Sequence, residues 1–470
     1  MDSMRRPERD KMDFKAIDMH THVFNLHYFP VQGILDDSGL IDLPGWLARA
    51  LAKAALAITE DDPLLDDGQP RAAAMPVSMS AEAVEDAIVN FDRYVGRAAQ
   101  RIPSWLLKDP DILEALRRSG AERGKAFSVR DADMEDKGFV LRCLIDLARK
   151  YLVGPVRAIE WLIAVVTQRE RDIAALLRKS YPDVEYFVHH MMALDSFYPG
   201  PPPTYAFAPR QIARMRNLDR LFGDKLITFV AWDPFVDDGL EIVKDAIEKK
   251  GCRGIKVYPP SGYRPIGNVD DGFVPHPDGP SAAVLDRRNQ ALFAYCVESN
   301  TPVFTHCTRK GFEARDGYGA NSDPDYWRRI LESDGMRDLR LCLGHAGGTE
   351  WFADDAAFAD SFPKGVYDLC TDPRFPNVYC EVGILDEINS DAGFALFQNR
   401  LVELIGSRKQ FADRIMYGSD WHFLYMNSEH LDFFRNYERL FQDAKLAPHA
   451  VNFFRDNAVR YLNDPGIRVA

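Results

Sequence analysis

The sequence is defined first by what it lacks. It has no C-x-x-C pair, and its seven cysteines are scattered in an odd number, which reads as reduced thiols rather than a disulfide framework or a thiolate metal site. It has no uncharged apolar run long enough to cross a bilayer. The first fourteen residues are polar and charged, unlike a secretory signal, so residues 1–13 are expected to be a flexible leader and the protein to be cytoplasmic. Basic residues are outnumbered, 58 against 71 acidic, and the net charge of -13 argues against nucleic acid as a partner. No Gly-rich phosphate loop follows any of the apolar runs, which speaks against a dinucleotide-binding sheet.

What remains is a chain of 470 residues with an ordinary apolar share of 46%, enough for one large barrel with insertions. Phe14 to His22 reads as a first strand. A long stretch at helical spacing follows, with helices expected over Gly45–Ile58, Ser80–Leu107 (Ser80 as N-cap), Lys137–Val153 and Val156–Arg178. Residues 61–76, rich in Asp, Pro and Gly, are expected to be an exposed loop. From Val184 onward, short β-branched or aromatic runs alternate with helical periods. The strands expected are Val184–His190, Lys225–Trp232, Gly254–Tyr258, Pro302–His306, Leu339–His345, Asn377–Val382 and Arg414–Gly418. The helices expected between and after them are Arg210–Phe222, Asp237–Lys250, Ser281–Ser299, Asp325–Ser333, Glu350–Phe362, Asp391–Ser407 and Ser428–Ala444. Eight β-α units imply parallel strands and a closed (β/α)8 TIM barrel, with an open doubly wound sheet as the alternative. The barrel is assigned to residues 14–32 and 156–465, and residues 33–155 to a mainly helical insertion between strands 1 and 2 that covers the barrel mouth or makes a subunit contact.

Chemistry-bearing residues collect at the strand ends. His20 and His22 are two apart at the end of the first strand, so they project to one face and suit one metal ion. His306, His345 and Asp420 also end or just follow apolar runs, and the C-terminal rim of such barrels holds the active site. Taken singly, each could be a hydrogen-bonded core residue or a helix cap; histidines placed for packing would have no cause to fall there repeatedly. Lys256 ends the fourth run, and Glu381 the seventh, where it could line a pocket, orient a ligand or belong to a buried ion pair. Asp18 precedes His20 by two and is read the same way. Two loops carry cations: 259–280 holds Arg264 beside Tyr263, and 307–323 holds Arg309, Lys310 and Arg315. Arginine grips carboxylates in a fork, so an acidic substrate suits them, although solvated surface charge is the plainer reading of each. Cys307 follows His306 on the strand and should point away from it.

The set resembles the amidohydrolase superfamily, in its amidohydrolase-related branch of metal-dependent hydrolases, lactonases and decarboxylases. The matching pieces are Asp18-Met19-His20-Thr21-His22, Gly254-Ile255-Lys256-Val257-Tyr258-Pro259, Thr305-His306, Gly344-His345-Ala346-Gly347-Gly348, Gly418-Ser419-Asp420-Trp421 and the closing Asn457-Ala458-Val459-Arg460-Tyr461-Leu462. Residues 33–155 depart from it. The resemblance implies that His20, His22, His306 and Asp420 hold one divalent metal, zinc before manganese, with Asp420 taking a proton from an activated water and His345 polarising the substrate oxygen or shuttling a proton. Lys256 is read as a catalytic pocket cation or a structural salt-bridge partner; a carbamylated Lys256 bridging a second metal is the less expected arrangement. Tyr258, Arg264, Arg309, Glu381 and Trp421 are the candidate substrate contacts. A hydrolase of an amide, ester or lactone is the leading function, tilted by Trp421 and by His at position 20. A non-oxidative decarboxylase of an unsaturated or aromatic acid is the alternative, and a binding protein that keeps the site but turns nothing over is a third. A small-molecule substrate and a homo-oligomer are expected, with neither nucleic acid nor membrane as partner.

Overall fold

The structure, a computed structural model, describes residues 13–37, 43–66, 91–123, 134–151 and 161–467, apart from 197, 199, 277, 278 and 428. Eight strands form one sheet: β1 (Ala16–Thr21), β2 (Val184–His190), β3 (Leu226–Ala231), β4 (Gly254–Val257), β5 (Val303–Thr305), β6 (Leu341–Leu343), β7 (Val378–Glu381) and β8 (Ile415–Met416). Each pairs in parallel with the next in sequence. The seam between β1 and β8 is closed by backbone bonds from Met19 N–H to Tyr417 O (3.1 Å), from Asp420 N–H to His20 O (2.7 Å) and from His22 N–H to Trp421 O. This is the (β/α)8 barrel expected from the alternation of elements.

The strands are one or two residues shorter at some ends than their apolar runs, because residues there leave the ladder to build loops. Helices Gly45–Ile58 and Asp391–Ser407 fall on the expected bounds. The helix expected over Glu350–Phe362 is instead a short helix, Asp355–Ala359, followed by Phe362–Thr371. Ser361 starts the second one by accepting Lys364 N–H, with Pro363 in its first turn, where a missing N–H costs nothing. Val156–Arg178 is likewise interrupted: a single wide helical turn at Trp161–Val165, closed by Val166 N–H to Trp161 O at 3.1 Å, precedes a helix at Glu170–Ser180, and residues 156–160 lie outside the described residues. Of Ser80–Leu107, Phe91–Ala99 is helical; the Ser80 cap, the leader at 1–12 and much of the 61–76 loop lie outside the described residues.

The lower barrel is filled by Ile17, Met19, Tyr186, Val188, Ile227, Phe229, Phe304, Cys342, Tyr379 and Met416, on which Tyr461 and Leu462 of the last helix pack. Met19 belongs to that interior, yet the ring of the next residue, His20, lies 4.7 Å from Phe304 and 4.9 Å from His190. Neighbouring strand residues cannot both face inward in a regular ladder. A register shift in β1 between Asp18 and Thr21 resolves this, turning the end of the strand so that His20 and His22 face the barrel mouth.

Between β1 and β2 the described chain is helical: Val31–Asp37, Gly45–Ile58, Phe91–Ala99, Pro110–Arg123 and Met134–Tyr151. Gly45–Ile58 buries Leu47, Leu51, Ala54 and Ala55 and packs on the Pro110–Arg123 and Met134–Tyr151 helices. The segment meets the loop that leaves β1: Asn25 Nδ2 donates to Glu60 O and Gln168 O, and Leu26 N–H to Val166 O. A buried hub ties it to the barrel, with Arg214 donating to Glu170 Oε1 at 2.8 Å and to Asp62 O at 3.1 Å, both side chains of the ion pair fully enclosed. All seven cysteines are free and buried. Among the described residues no helix is long and apolar enough to cross a membrane.

Candidate metal centre

Strand ends β1, β4, β5, β6, β7 and β8 each send one or two polar side chains to the same place. Two overlapping groups could hold a cation: His20, His22 and Asp420, and His20, His345 and Glu381, all buried. Asp420 Oδ1 lies 3.3 Å from His20 Nε2 and 3.2 Å from His22 Nε2. It has no hydrogen-bond partner among the described residues, although it is buried. Lys256 Nζ, also buried, is 3.3 Å from His20 Nε2 and sits over the Phe304 ring at 4.3 Å. The four imidazoles form a chain of neighbours, with ring centroids 5.2 Å apart for His22 and His20, 4.9 Å for His20 and His345, and 4.8 Å for His345 and His306. His306, expected as a fourth ligand, meets the cluster through His345, its Nδ1 being 3.0 Å from His345 Nε2.

The outer bonds of these rings decide which nitrogen is bare. His22 Nδ1 faces His190 O at 2.8 Å, His306 Nε2 faces Lys310 O at 2.6 Å and His345 Nδ1 faces Gly383 O at 2.9 Å. A carbonyl oxygen only accepts, so each of those nitrogens carries the ring proton. Burial, with Lys256 and the neighbouring rings, lowers all four imidazoles, His22 to about 3 and His345 to about 4, so they are neutral and the inward nitrogen is a lone pair. His20 Nδ1 instead meets Glu381 Oε1 at 2.9 Å. Glu381 is the hub of this outer layer: it also accepts His345 N–H at 2.7 Å and Gly383 N–H. Burial pushes Glu381 up to about 8 against the pull of those two N–H bonds. Side chains at 383 and 418 would have no room: a Cβ on Gly383 would stand 2.8 Å from Glu381 Oε2, and one on Gly418 nearer still.

Acceptor atoms of His22 and Asp420 converge with His20 Nε2, which Lys256 Nζ faces at 3.3 Å, and His306 Nδ1 and His345 Nε2 face each other as bare nitrogens. Such an arrangement repels itself unless a cation is shared, and imidazoles whose second nitrogen donates to a carbonyl or carboxylate are the usual form of metal-binding histidine. The donor set therefore fits a divalent ion of the zinc or manganese kind. Burial raises Asp420 to about 6 against the pull of His345 and Lys256, and lowers Lys256 to about 8 against the pull of Asp420 and Glu381. Asp420 and His345 both sit at φ 56°, in the left-handed region, a strain of roughly 1–3 kcal/mol each that packing must hold.

Asp18 latches the seam rather than joining the cluster: its carboxyl accepts from His20 N–H, Ser419 N–H and Ser419 Oγ–H. Burial pushes it up to about 7. Tyr258 stands at the edge, its ring 4.9 Å from His306 and its hydroxyl accepting Phe312 N–H. Three sequence candidates are placed elsewhere. Arg264 donates to Gly267 O and lies over Phe273 and Tyr326. Arg309 turns to Glu350 and the Phe362 ring. Trp421 is buried with its ring contacts on His422 and Tyr425, while Asp420, the residue before it, takes the inward direction. Sequence reasoning missed His190 and His422. His190 ends β2, so the strand-end rule applied to His306 would have found it; His422 stood two residues past Asp420. Around His22 the rim is aromatic, with Phe423 at 5.4 Å and Phe24 at 6.0 Å, and with Phe312 at 5.1 Å from Phe423.

A family model described as Amidohydrolase matches residues 203–463, more than half of the 470. No curated protein matches the chain. Among solved structures, the chain is similar to an amidohydrolase from Burkholderia multivorans with bound HEPES, at 15% identity and TM-score 0.40, over 62% of this chain and 86% of that one. It is similar to a putative 2-pyrone-4,6-dicarboxylic acid hydrolase from Pseudomonas putida, at 13% identity and TM-score 0.39, over 61% and 86%. It is also similar to 5-carboxyvanillate decarboxylase from Novosphingobium aromaticivorans with bound manganese, at 15% identity and TM-score 0.38, over 75% and 93%.

Proposed function

The chain belongs to the amidohydrolase family of enzymes, and on that premise we propose that it is a metal-dependent hydrolase cleaving a C–N or C–O bond of a small amide, ester or lactone. The observation that carries the reading is the convergence of acceptors: His20 Nε2 and His22 Nε2 within 3.3 Å and 3.2 Å of a buried Asp420 Oδ1 that has no hydrogen-bond partner among the described residues. His20, His22 and Asp420, with His306 as fourth ligand, would hold one divalent ion, zinc first and manganese second. Bound there, such an ion supplies a Lewis acid and brings the pKa of a water to about 7.

The chain's own groups divide the remaining work. Asp420 accepts the proton that the attacking water gives up. His345 has its Nδ1–H tied to Gly383 O, so its bare Nε2 takes that proton onward and returns it to the leaving group. Glu381 orients His20 and His345 together rather than touching substrate. Lys256 gives the floor of the site a positive charge for a developing oxyanion. Tyr258 is the substrate contact beside His306.

A second reading, a non-oxidative decarboxylase of an unsaturated or aromatic acid, draws on one observation: the rings of Phe423, Phe24 and Phe312 beside His22 suit a flat substrate. There Asp420 and His345 would manage a proton on carbon. The test is a panel of amides, esters, lactones and aromatic acids offered to the zinc- or manganese-loaded protein, with Asp420→Ala as control. Hydrolysis that Asp420→Ala abolishes supports the first reading. Carbon dioxide release with no hydrolysis replaces it by the second. Two equivalents of metal per chain would replace the one-ion form by a pair bridged through carbamylated Lys256.

A further inference from the structure

We propose that Trp161 is a positioning residue of this centre: it comes from the chain ahead of β2 and holds the loop that carries Asp420. The inference rests on the metal reading above. Trp161 lies outside residues 203–463, the part that matches the family, so membership assigns it no role. It opens the wide helical turn Trp161–Val165 and reaches the rim of the barrel mouth with part of its surface exposed.

Two contacts carry the argument. The Trp161 indole N–H donates to His422 Nδ1 at 2.6 Å. An indole nitrogen can only donate, so Nδ1 of His422 is the bare acceptor of that ring. His422 is buried, stacked on Phe24 at 5.0 Å and 9° and met by the indole edge-on at 85°. Its ring orientation is thereby set from both sides. The second contact is Phe423, whose ring lies 5.8 Å from Trp161 and 5.4 Å from His22.

Both held residues belong to the tight turn that starts at Asp420. Phe423 and Leu424 N–H donate to Asp420 O at 3.0 Å and 3.3 Å, and Tyr425 N–H to His422 O at 3.2 Å. A shift of His422 is therefore passed to Asp420, whose left-handed backbone has to be held by its surroundings. Without the indole N–H, His422 Nδ1 would be buried and unpaired on a ring whose Nε2 already has no partner among the described residues. The ring would then gain by turning, and the turn would loosen with it. One side chain from the connection just ahead of β2 thus steadies the neighbours of two groups, His22 and Asp420, that converge on the proposed ion.

The experiment measures zinc affinity by chelator competition, with thermal unfolding alongside, on the full-length protein and on Trp161→Phe, His422→Gln and His422→Ala. Trp161→Phe keeps a ring and loses the N–H; it should weaken zinc about tenfold, the lower end of what outer-layer partners of metal ligands contribute, while unfolding within a few degrees of wild type. His422→Ala should weaken zinc likewise. His422→Gln offers a side-chain oxygen to the indole and should stay within about threefold, so that rescue separates positioning from mere packing. Wild-type affinity in Trp161→Phe and His422→Ala would overturn the positioning role and leave the metal reading standing. A wild-type protein that takes up no zinc would overturn the metal reading and this inference with it. Should Trp161→Phe fail to fold, the His422 pair decides alone, and equal affinity in Gln and Ala overturns the proposal.

Discussion

Replacing Glu381 by Gln tests the outer layer of the centre most sharply. The Glu381 carboxyl group meets three nitrogens: His20 Nδ1 at 2.9 Å and His345 N–H at 2.7 Å on Oε1, and Gly383 N–H on Oε2. An amide of the same shape has one oxygen and one NH2 group. With its oxygen facing His20 and His345, the NH2 points at Gly383 N–H, and two buried donors face each other. Turned over, it loses two bonds rather than one. The better pose leaves unpaired donors costing about 1–3 kcal/mol of stability. In a chain of 150–250 residues each kcal/mol moves Tm by only about 2–4 °C, and less in a longer one, so melting is the weaker readout. Metal affinity is the stronger one. Partners of ligating histidines are worth about 10–100-fold, or about 1.4–2.8 kcal/mol, and Glu381 serves two imidazoles of the cluster. Zinc affinity of Glu381→Gln should fall by at least tenfold. A variant that binds zinc as tightly as wild type, with its fold intact, would refute the assignment of Glu381 as the group that orients His20 and His345.

Removal of the metal by a chelator should lower stability reversibly: an ion at 100 times its Kd contributes about 2.7 kcal/mol, and a melting curve unmoved by stripping and reloading would count against the site. Arg214→Ala should cost about 3–5 kcal/mol, because it leaves Glu170 charged, enclosed and without its 2.8 Å partner; the denaturation midpoint and the rate of proteolysis in residues 31–151 report it, and an unchanged midpoint would deny the hub its role. Asp195 gives a pH signature. Burial first, then Asp233 beside it, raises its carboxyl from 3.8 to about 7, and its Oδ1 is buried without a partner among the described residues. The fold thus binds this proton more tightly than the unfolded chain, so the contribution is complete below 3.8 and is lost as pH rises to about 7. Asp195→Asn should therefore gain on wild type between about pH 4 and pH 8 in denaturant titrations, and parallel pH curves would refute it.

Local pattern carried most of the barrel. Alternating apolar runs and helical periods act within a dozen residues, so the eight strands and their order could be read directly, and Asp391–Ser407 agrees at both ends. The strand-end rule likewise located His20, His22, Lys256, His306, His345, Glu381 and Asp420, because in a parallel barrel every such end opens onto one rim. What the sequence could not state was direction and partner. The register shift in β1 that turns both Met19 and His20 inward depends on pairing with β2, far along the chain. The carbonyls of His190, Lys310 and Gly383 that decide which nitrogen is bare carry no side-chain signal at all. Arg264 and Arg309 have the residue type for an acid-binding site, but their loops turn them to Tyr326 and Glu350 instead. Trp161 and His422, 261 positions apart, meet only because the barrel closes. Spacing along the chain determines which groups arrive at the rim; the closed sheet decides which way each one faces, since orientation is a property of contacts between segments that the linear order does not contain.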